Sequence, residues 1–194
     1  QGPAEMDLID IKYPTAIKLL SRDASHKSDA GGVMLGIPDR AAAAAAIEAM
    51  REKISALPGR PAIDGFLVQE MSGRGEEFFI GGRRDATFGP VVMVGYGGIF
   101  IELLNDVSMR LAPVTANEAA AMIDELTMSP LFRGVRGRPP LDRDALIDAL
   151  CRISSLLASD KTIGEIDINP VIVHEKGNGV SIVDSRIFFL HHDA

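Results

Sequence analysis

The sequence predicts an α+β protein of two small lobes in which mixed or antiparallel sheets are flanked by helices. Strand-like and helix-like runs alternate along all 194 residues with no long linker and no tandem repeat. Several strand-like runs are joined by short glycine-containing connections of hairpin type. Three helical runs carry their own start signals, one of them a capping box. With 46% apolar and 24% charged residues, the composition is globular, enough for one sizeable core or two small lobes.

Thr15 to Leu20 reads as the first apolar strand. Pro38-Asp39 then stops the chain and offers an N-cap. The run from Arg40 to about Leu57, including the alanines Ala41 to Ala46, is rich in strong helix formers and ends at Leu57-Pro58-Gly59. Gly65 to Met71 and Glu77 to Arg83 read as two strands of a hairpin connected through Ser72-Gly73-Arg74-Gly75. Phe88 to Val94 is a third strand, and its unbroken Val91-Val92-Met93-Val94 predicts burial on both faces. Thr115-Ala116-Asn117-Glu118 opens a second helix, with Met122, Ile123 and Leu126 at helical spacing. Asp142 caps a third, whose Leu146, Ala149, Leu150, Ile153, Leu156 and Leu157 form one apolar face. In the last segment the period changes to two: Ile166 and Ile168 alternate with Glu165, Asp167 and Asn169, and Val180 to Asp184 alternates again after Gly177-Asn178-Gly179. This predicts a second hairpin.

Charge and length exclude several partners. Twenty basic against 27 acidic residues give a net charge of −7 with no basic block, which argues against duplex nucleic acid. No apolar run approaches the roughly 20 residues needed to cross a bilayer, and no signal peptide opens the chain. A soluble, cytoplasmic protein is expected. The single cysteine, Cys151, sits among apolar neighbours in a helical pattern and reads as an inert thiol. Gln1-Gly2-Pro3 has the form of a protease scar, so residues 1–5 are set aside and native sequence is expected to begin near Met6.

Counting along the C-terminal hairpin places two candidate metal ligands. With the turn centred between Lys176 and Gly177, paired residue numbers total 353, so Asn169 stands opposite Asp184. Cross-strand partners keep their Cβ atoms about 4.5 to 5.5 Å apart on one face. An amide oxygen and a carboxylate at that spacing suit magnesium, which keeps several waters and shares itself with substrate phosphates. By pattern alone, the solvated side of an amphipathic hairpin is the commoner explanation, and a slip of one residue would void the counting.

Lys18 interrupts an otherwise apolar strand and so calls for an anion, either a phosphate or a neighbouring carboxylate. The small, polar and glycine residues from Ser21 to Val33 could present backbone amides to phosphate, and His26 within them could accept a phosphoryl group. Most lone loop histidines are simply surface. Neither a Walker A motif nor a dinucleotide fingerprint is present.

Taken in order, Lys18, Ser25-His26-Lys27-Ser28-Asp29-Ala30-Gly31-Gly32-Val33, Phe88-Gly89-Pro90, Gly95-Tyr96-Gly97-Gly98-Ile99-Phe100-Ile101-Glu102, Glu165 to Pro170 and Val183 to Ile187 resemble a known family. They look like the ATP-grasp domain of the NDP-forming acyl-CoA synthetases, the group of ADP-forming acetate–CoA ligase and, more distantly, the succinyl-CoA synthetase β subunit. The resemblance runs from about Thr15 to Phe189. It implies a two-lobed α+β fold gripping ATP or ADP, with magnesium, between two sheets. The reaction it implies interconverts acid, CoA and ATP with acyl-CoA, ADP and phosphate through an acyl phosphate and a phosphohistidine.

In that resemblance His26 takes the place of the histidine that receives the phosphoryl group. Lys18 corresponds to the lysine on the nucleotide phosphates, Gln69 and Glu70 to the hinge strand that meets adenine, and Glu77 to an acidic residue at the nucleotide rim. Asn169 and Asp184 correspond to the magnesium ligands. The family carries helical sequence ahead of the Lys18 strand, and here almost nothing precedes it. CoA-binding and acyl-activating domains are implied as partners, on the same chain or another. The alternative is a non-catalytic regulatory ATP-grasp module, such as those fused to acetyltransferases; a fragment too truncated to bind anything is a third reading.

Overall fold

The computed structural model describes residues 11–21, 31–57, 62–98 and 106–190. The chain divides into two compact units, Gln1–Met71 and Ser72–Ala194.

In the first unit, strands β1 (Thr15–Leu20), β2 (Val33–Ile37) and β3 (Gly65–Glu70) form an antiparallel sheet in the order β2-β1-β3. Helix α1 (Arg40–Ser55) starts where the sequence predicts, with the Asp39 carboxylate accepting from the Ala42 amide at 2.8 Å. Period-two alternation on β1 turns Ile17 and Leu19 toward α1, where they pack with Ala43, Ala46, Ile47, Met50 and Ile54. Of the six alanines, Ala43 and Ala46 are buried in this helix–sheet core and Ala42 packs against it half-buried.

The second unit is a six-stranded antiparallel sheet with two helices on one face. Its strands are β4 (Glu76–Asp85), β5 (Gly89–Tyr96), β6 (Val107–Leu111), β7 (Ile163–Val173), β8 (Val180–Ile182) and β9 (Ser185–Phe189). They run in the order β6-β5-β4-β7-β8, with β9 also paired to β7. Helices α2 (Ala116–Asp124) and α3 (Arg143–Ser159) supply Met122, Ile123, Leu146, Leu150 and Leu157 to a core shared with Phe78, Ile80, Val92, Val94, Ile166, Ile168, Val171 and Val173. The capping box at Thr115–Glu118 is present as read, and the Asp142 side chain caps α3 through the Ala145 amide.

Three expectations need correction. The strands Gly65–Glu70 and Glu76–Asp85 do not form a hairpin: β3 pairs with β1 in one sheet, while β4 pairs with β5 and β7 in the other. A Gly-rich connection permits a tight turn, but it does not compel pairing, and in roughly a third of cases consecutive strands go to different neighbours. The β5 run is not buried on both faces either, since Val92 and Val94 are fully buried whereas Val91 and Met93 are half-buried. Leu156, read as part of the α3 core face, is 40% exposed. Cys151 is half-buried, and burial followed by the nearby Asp148 charge pushes its thiol pKa up, as an inert thiol requires.

Arg84 locks the C-terminal end of α3 to the sheet. Its guanidinium donates to the backbone oxygens of Leu157 (2.6 Å) and Asp160 (3.0 Å), at the helix end where carbonyls lack intrahelical partners, and to that of Ile163 (3.3 Å), the first residue of β7. Arg84→Ala is expected to lower stability by about 2 kcal/mol, measured by urea unfolding, because several charge-assisted bonds vanish at once. Lys at the same place should restore only part of this, lacking the planar fork.

Candidate functional site

Alternation on β1 places Lys18 on the face away from α1. Lys18 lies opposite Leu67 and Ala16 opposite Gln69, so Lys18 and Gln69 share that helix-free face as diagonal neighbours. Glu70, one residue on, has the opposite parity. It stands across from Thr15, and its carboxylate accepts from the Lys12 amide at 3.2 Å. Of the two hinge-strand residues, only Gln69 presents its side chain with Lys18. His26 lies outside the described residues.

In the second unit, the face of the sheet away from α2 and α3 carries Glu77, Asn169 and Asp184. On β4 the parity of Phe78 and Ile80 belongs to the core, so Glu77 points the other way and is exposed. Its backbone is gripped by the following glycine motif: the Gly97 amide donates to the Glu77 oxygen at 2.7 Å. Gly98, at φ +78°, adopts a conformation side chains resist, and a Cβ there would sit 3.3 Å from a Glu77 carboxylate oxygen. A Cβ on Gly95 would meet the Phe79 ring at 2.4 Å. The glycines of Gly95-Tyr96-Gly97-Gly98 thus let two strands close tightly beneath Glu77.

The hairpin register is the one obtained by counting. Val171 pairs with Ile182, Val173 with Val180, Ile168 with Ser185 and Asp167 with Arg186, every pair on the same total. Between them the Asn169 amide donates to the Asp184 oxygen at 3.2 Å and the Val183 amide to the Pro170 oxygen at 3.1 Å. The ladder is nevertheless irregular here. Against β4 the register shifts, so that Asn169 and Pro170 together oppose Phe79, and Val183–Asp184 interrupts the run from β8 to β9. Such a break re-aims side chains and is common beside functional sites. Asn169 is exposed and Asp184 half-exposed, while Ile168 and Val171 on either side are buried in the core.

These donors are oxygen only, sparse and open to solvent, which fits magnesium held jointly with phosphate oxygens. Among the described residues no group of three or more His, Cys, Asp or Glu forms a metal cage. Sequence reasoning passed over one polar cluster nearby: the Tyr96 hydroxyl and the Arg138 guanidinium each donate to Glu76 at 2.8 Å. Burial, then the hydrogen bond to Glu76, push the Tyr96 pKa up to about 12, so the hydroxyl remains a donor. The only sequence signal was the Glu76-Glu77 doublet.

Residues 4–189 match the family model of the ATP-grasp domain. The chain belongs to the ATP-grasp family. It is 40% identical over 179 residues to the β subunit of ADP-forming acetate–CoA ligase II from Pyrococcus furiosus, covering 92% of this chain and 76% of that subunit. It is 41% identical over 177 residues to ADP-forming acetate–CoA ligase I from Archaeoglobus fulgidus, covering 91% of this chain and 25% of that one. This ATP-grasp chain therefore spans a quarter of the length of such long relatives. Among solved structures, the dinucleotide-forming acetyl-coenzyme A synthetase 1 of Ca. Korarchaeum cryptofilum, in complex with coenzyme A, Ca-AMPCP and HgCl+, has a TM-score of 0.89 at 37% identity, covering 97% of this chain and 81% of that one. The same synthetase with coenzyme A and Mg-AMPPCP, its phosphohistidine segment pointing towards the nucleotide-binding site, has a TM-score of 0.81 at 36% identity and the same coverage. No helix among the described residues is long and apolar enough to cross a membrane.

Proposed function

We propose that this ATP-grasp chain is the nucleotide-binding part of an ADP-forming acid–CoA ligase of the acetate–CoA ligase kind, cytoplasmic and acting with CoA-binding and acyl-activating domains on its own or another chain. The observation that carries this reading is the opposition of Asn169 and Asp184 across the irregular point of the hairpin, on the helix-free face that also bears Glu77.

Asn169 and Asp184 would hold magnesium, whose chemistry when bound is to draw charge from nucleotide phosphates. Lys18 neutralises phosphate charge from the first unit's helix-free face, Gln69 lies beside it, the β3 backbone through Glu70 meets the base, and Glu77 forms the nucleotide rim. His26 accepts and returns the phosphoryl group, its imidazole being nucleophilic when neutral and a ready leaving group. Phosphoryl transfer asks the protein mainly for positioning and charge neutralisation, and this set of residues is adequate for both.

Isothermal titration with ATP or ADP, with and without magnesium, tests the reading. Magnesium should strengthen binding, and Asp184→Ala should remove the magnesium-dependent part, costing about tenfold or more in Kd. Binding that ignores both metal and substitution would sink the metal assignment and favour a regulatory module.

A further inference from the structure

The second unit contains a cavity of about 370 Å³ lined by Arg74, Gly75, Glu76, Leu131, Val135, Arg138, Pro139, Leu141 and Glu175. That volume lies within the roughly 300 to 1,000 Å³ of ordinary small-molecule pockets. Its walls are held on several sides. The Leu141 amide donates to the Leu131 oxygen, Leu141 bridges to Glu175, and the Lys176 amide donates to the Pro140 oxygen. Val135 to Arg138 close a tight turn in which Arg136 has φ 49° and Gly137 φ 80°, the Arg138 amide donating to the Val135 oxygen. A non-glycine residue in that conformation is uncommon and is kept only where its surroundings impose it.

The charges around this cavity are of two kinds. Glu76 is already satisfied by Arg138 and Tyr96. Arg74 and Glu175 are both exposed, and among the described residues the side chain of neither takes part in an ion pair or hydrogen bond, with the other or with any third group. One unspent guanidinium and one unspent carboxylate therefore border an apolar floor made by Leu131, Val135, Pro139 and Leu141. A simple carboxylate would satisfy Arg74 but face Glu175 at like charge; an amine would reverse the fault, and a phosphate dianion would compound the first. The complement of the whole lining is a zwitterion with an apolar body.

We propose that this cavity binds a free α-amino acid with an apolar side chain, its carboxylate on Arg74, its ammonium on Glu175 and its side chain on the Leu131–Val135–Leu141 floor. The site consists of second-unit residues that the nucleotide reading does not use, so the two stand or fall separately. Its polar contacts are charge-assisted, the stronger class of hydrogen bond, and each end of the ligand discriminates.

The test titrates the full chain with L-leucine, 3-methylbutylamine and 4-methylpentanoate by calorimetry, the last two lacking the carboxylate and the ammonium respectively. Saturable L-leucine binding is expected, with each analogue weaker by about tenfold or more, and a similar loss for L-leucine in Arg74→Gln and in Glu175→Gln. Both substituted residues are exposed, so thermal unfolding should stay unchanged and separate lost binding from lost folding. No saturable L-leucine binding, equal binding of either analogue, or binding indifferent to both substitutions would overturn the proposal.

Discussion

Phe78→Ala is expected to cost about 3 to 5 kcal/mol of stability, the range for truncating a large aromatic in a close-packed core. Phe78 is fully buried at the centre of the second unit. Its ring meets Tyr96 edge-on at 5.4 Å and Phe132 at 5.3 Å, so the substitution removes two aromatic contacts as well as apolar area. Because β4 runs through Glu76, Glu77 and Phe78, the cavity also loosens the strand beneath the candidate nucleotide rim. Urea unfolding followed by circular dichroism should show the midpoint for the second unit falling sharply. Leu35→Ala, truncating a side chain 64% exposed in the first unit, should change stability by about 0.5 kcal/mol or less. A Phe78→Ala cost below about 1 kcal/mol would mean that this ring does not anchor the core.

Asp142→Ala is expected to cost about 2 to 3 kcal/mol, because one buried carboxylate serves two elements at once. One oxygen caps α3 at the Ala145 amide, 3.2 Å away; the other accepts from Gly177 (2.8 Å) and Gly179 (2.9 Å) in the turn between β7 and β8. The amide of Asp142 itself donates to the His174 oxygen. Removing the side chain strands three amides and unfastens the hairpin that carries Asn169 and Asp184. Hydrogen bonds to the carboxylate, that from Gly179 foremost, hold its pKa below the ordinary aspartate value despite opposing burial.

The folded pKa is thus depressed relative to the unfolded chain. The associated stability is present above the unfolded value of about 4 and disappears as pH falls through the folded one. The stability gap between the native chain and Asp142→Ala, measured by urea unfolding at a series of pH values, should therefore be widest near neutrality and narrow in acid. A gap that is constant across that range would refute the linkage.

Much of this molecule was legible from its residues, and the legible parts share a physical cause. The Asp39, Thr115 and Asp142 caps act over three residues, so their helices begin where local chemistry puts them. The Asn169–Asp184 opposition was countable because a short turn transmits register directly into its two strands. Alternation likewise separated Ile166 and Ile168 from Glu165 and Asp167.

What stayed hidden depended on partners distant in sequence. The short strand β6, with Val107, Met109 and Leu111 facing outward, carries no strong apolar signal and exists because β5 leaves an edge open. Arg84 looked like one more surface charge, and only the fold brings it to the end of α3, more than 70 residues away. Arg74, Arg138 and Glu175 come from three separate stretches, and folding alone sets them around one cavity.

The sequence by itself determined the helices, their caps and the register of the C-terminal hairpin, since each depends on contacts a few residues apart. Only the tertiary structure decided that β3 leaves β4 for β1, that the ladder breaks at Asn169–Pro170, and that Gln69 rather than Glu70 accompanies Lys18. Those outcomes turn on which sheet edge was free and which face the helices covered, quantities that no local stretch of chain contains.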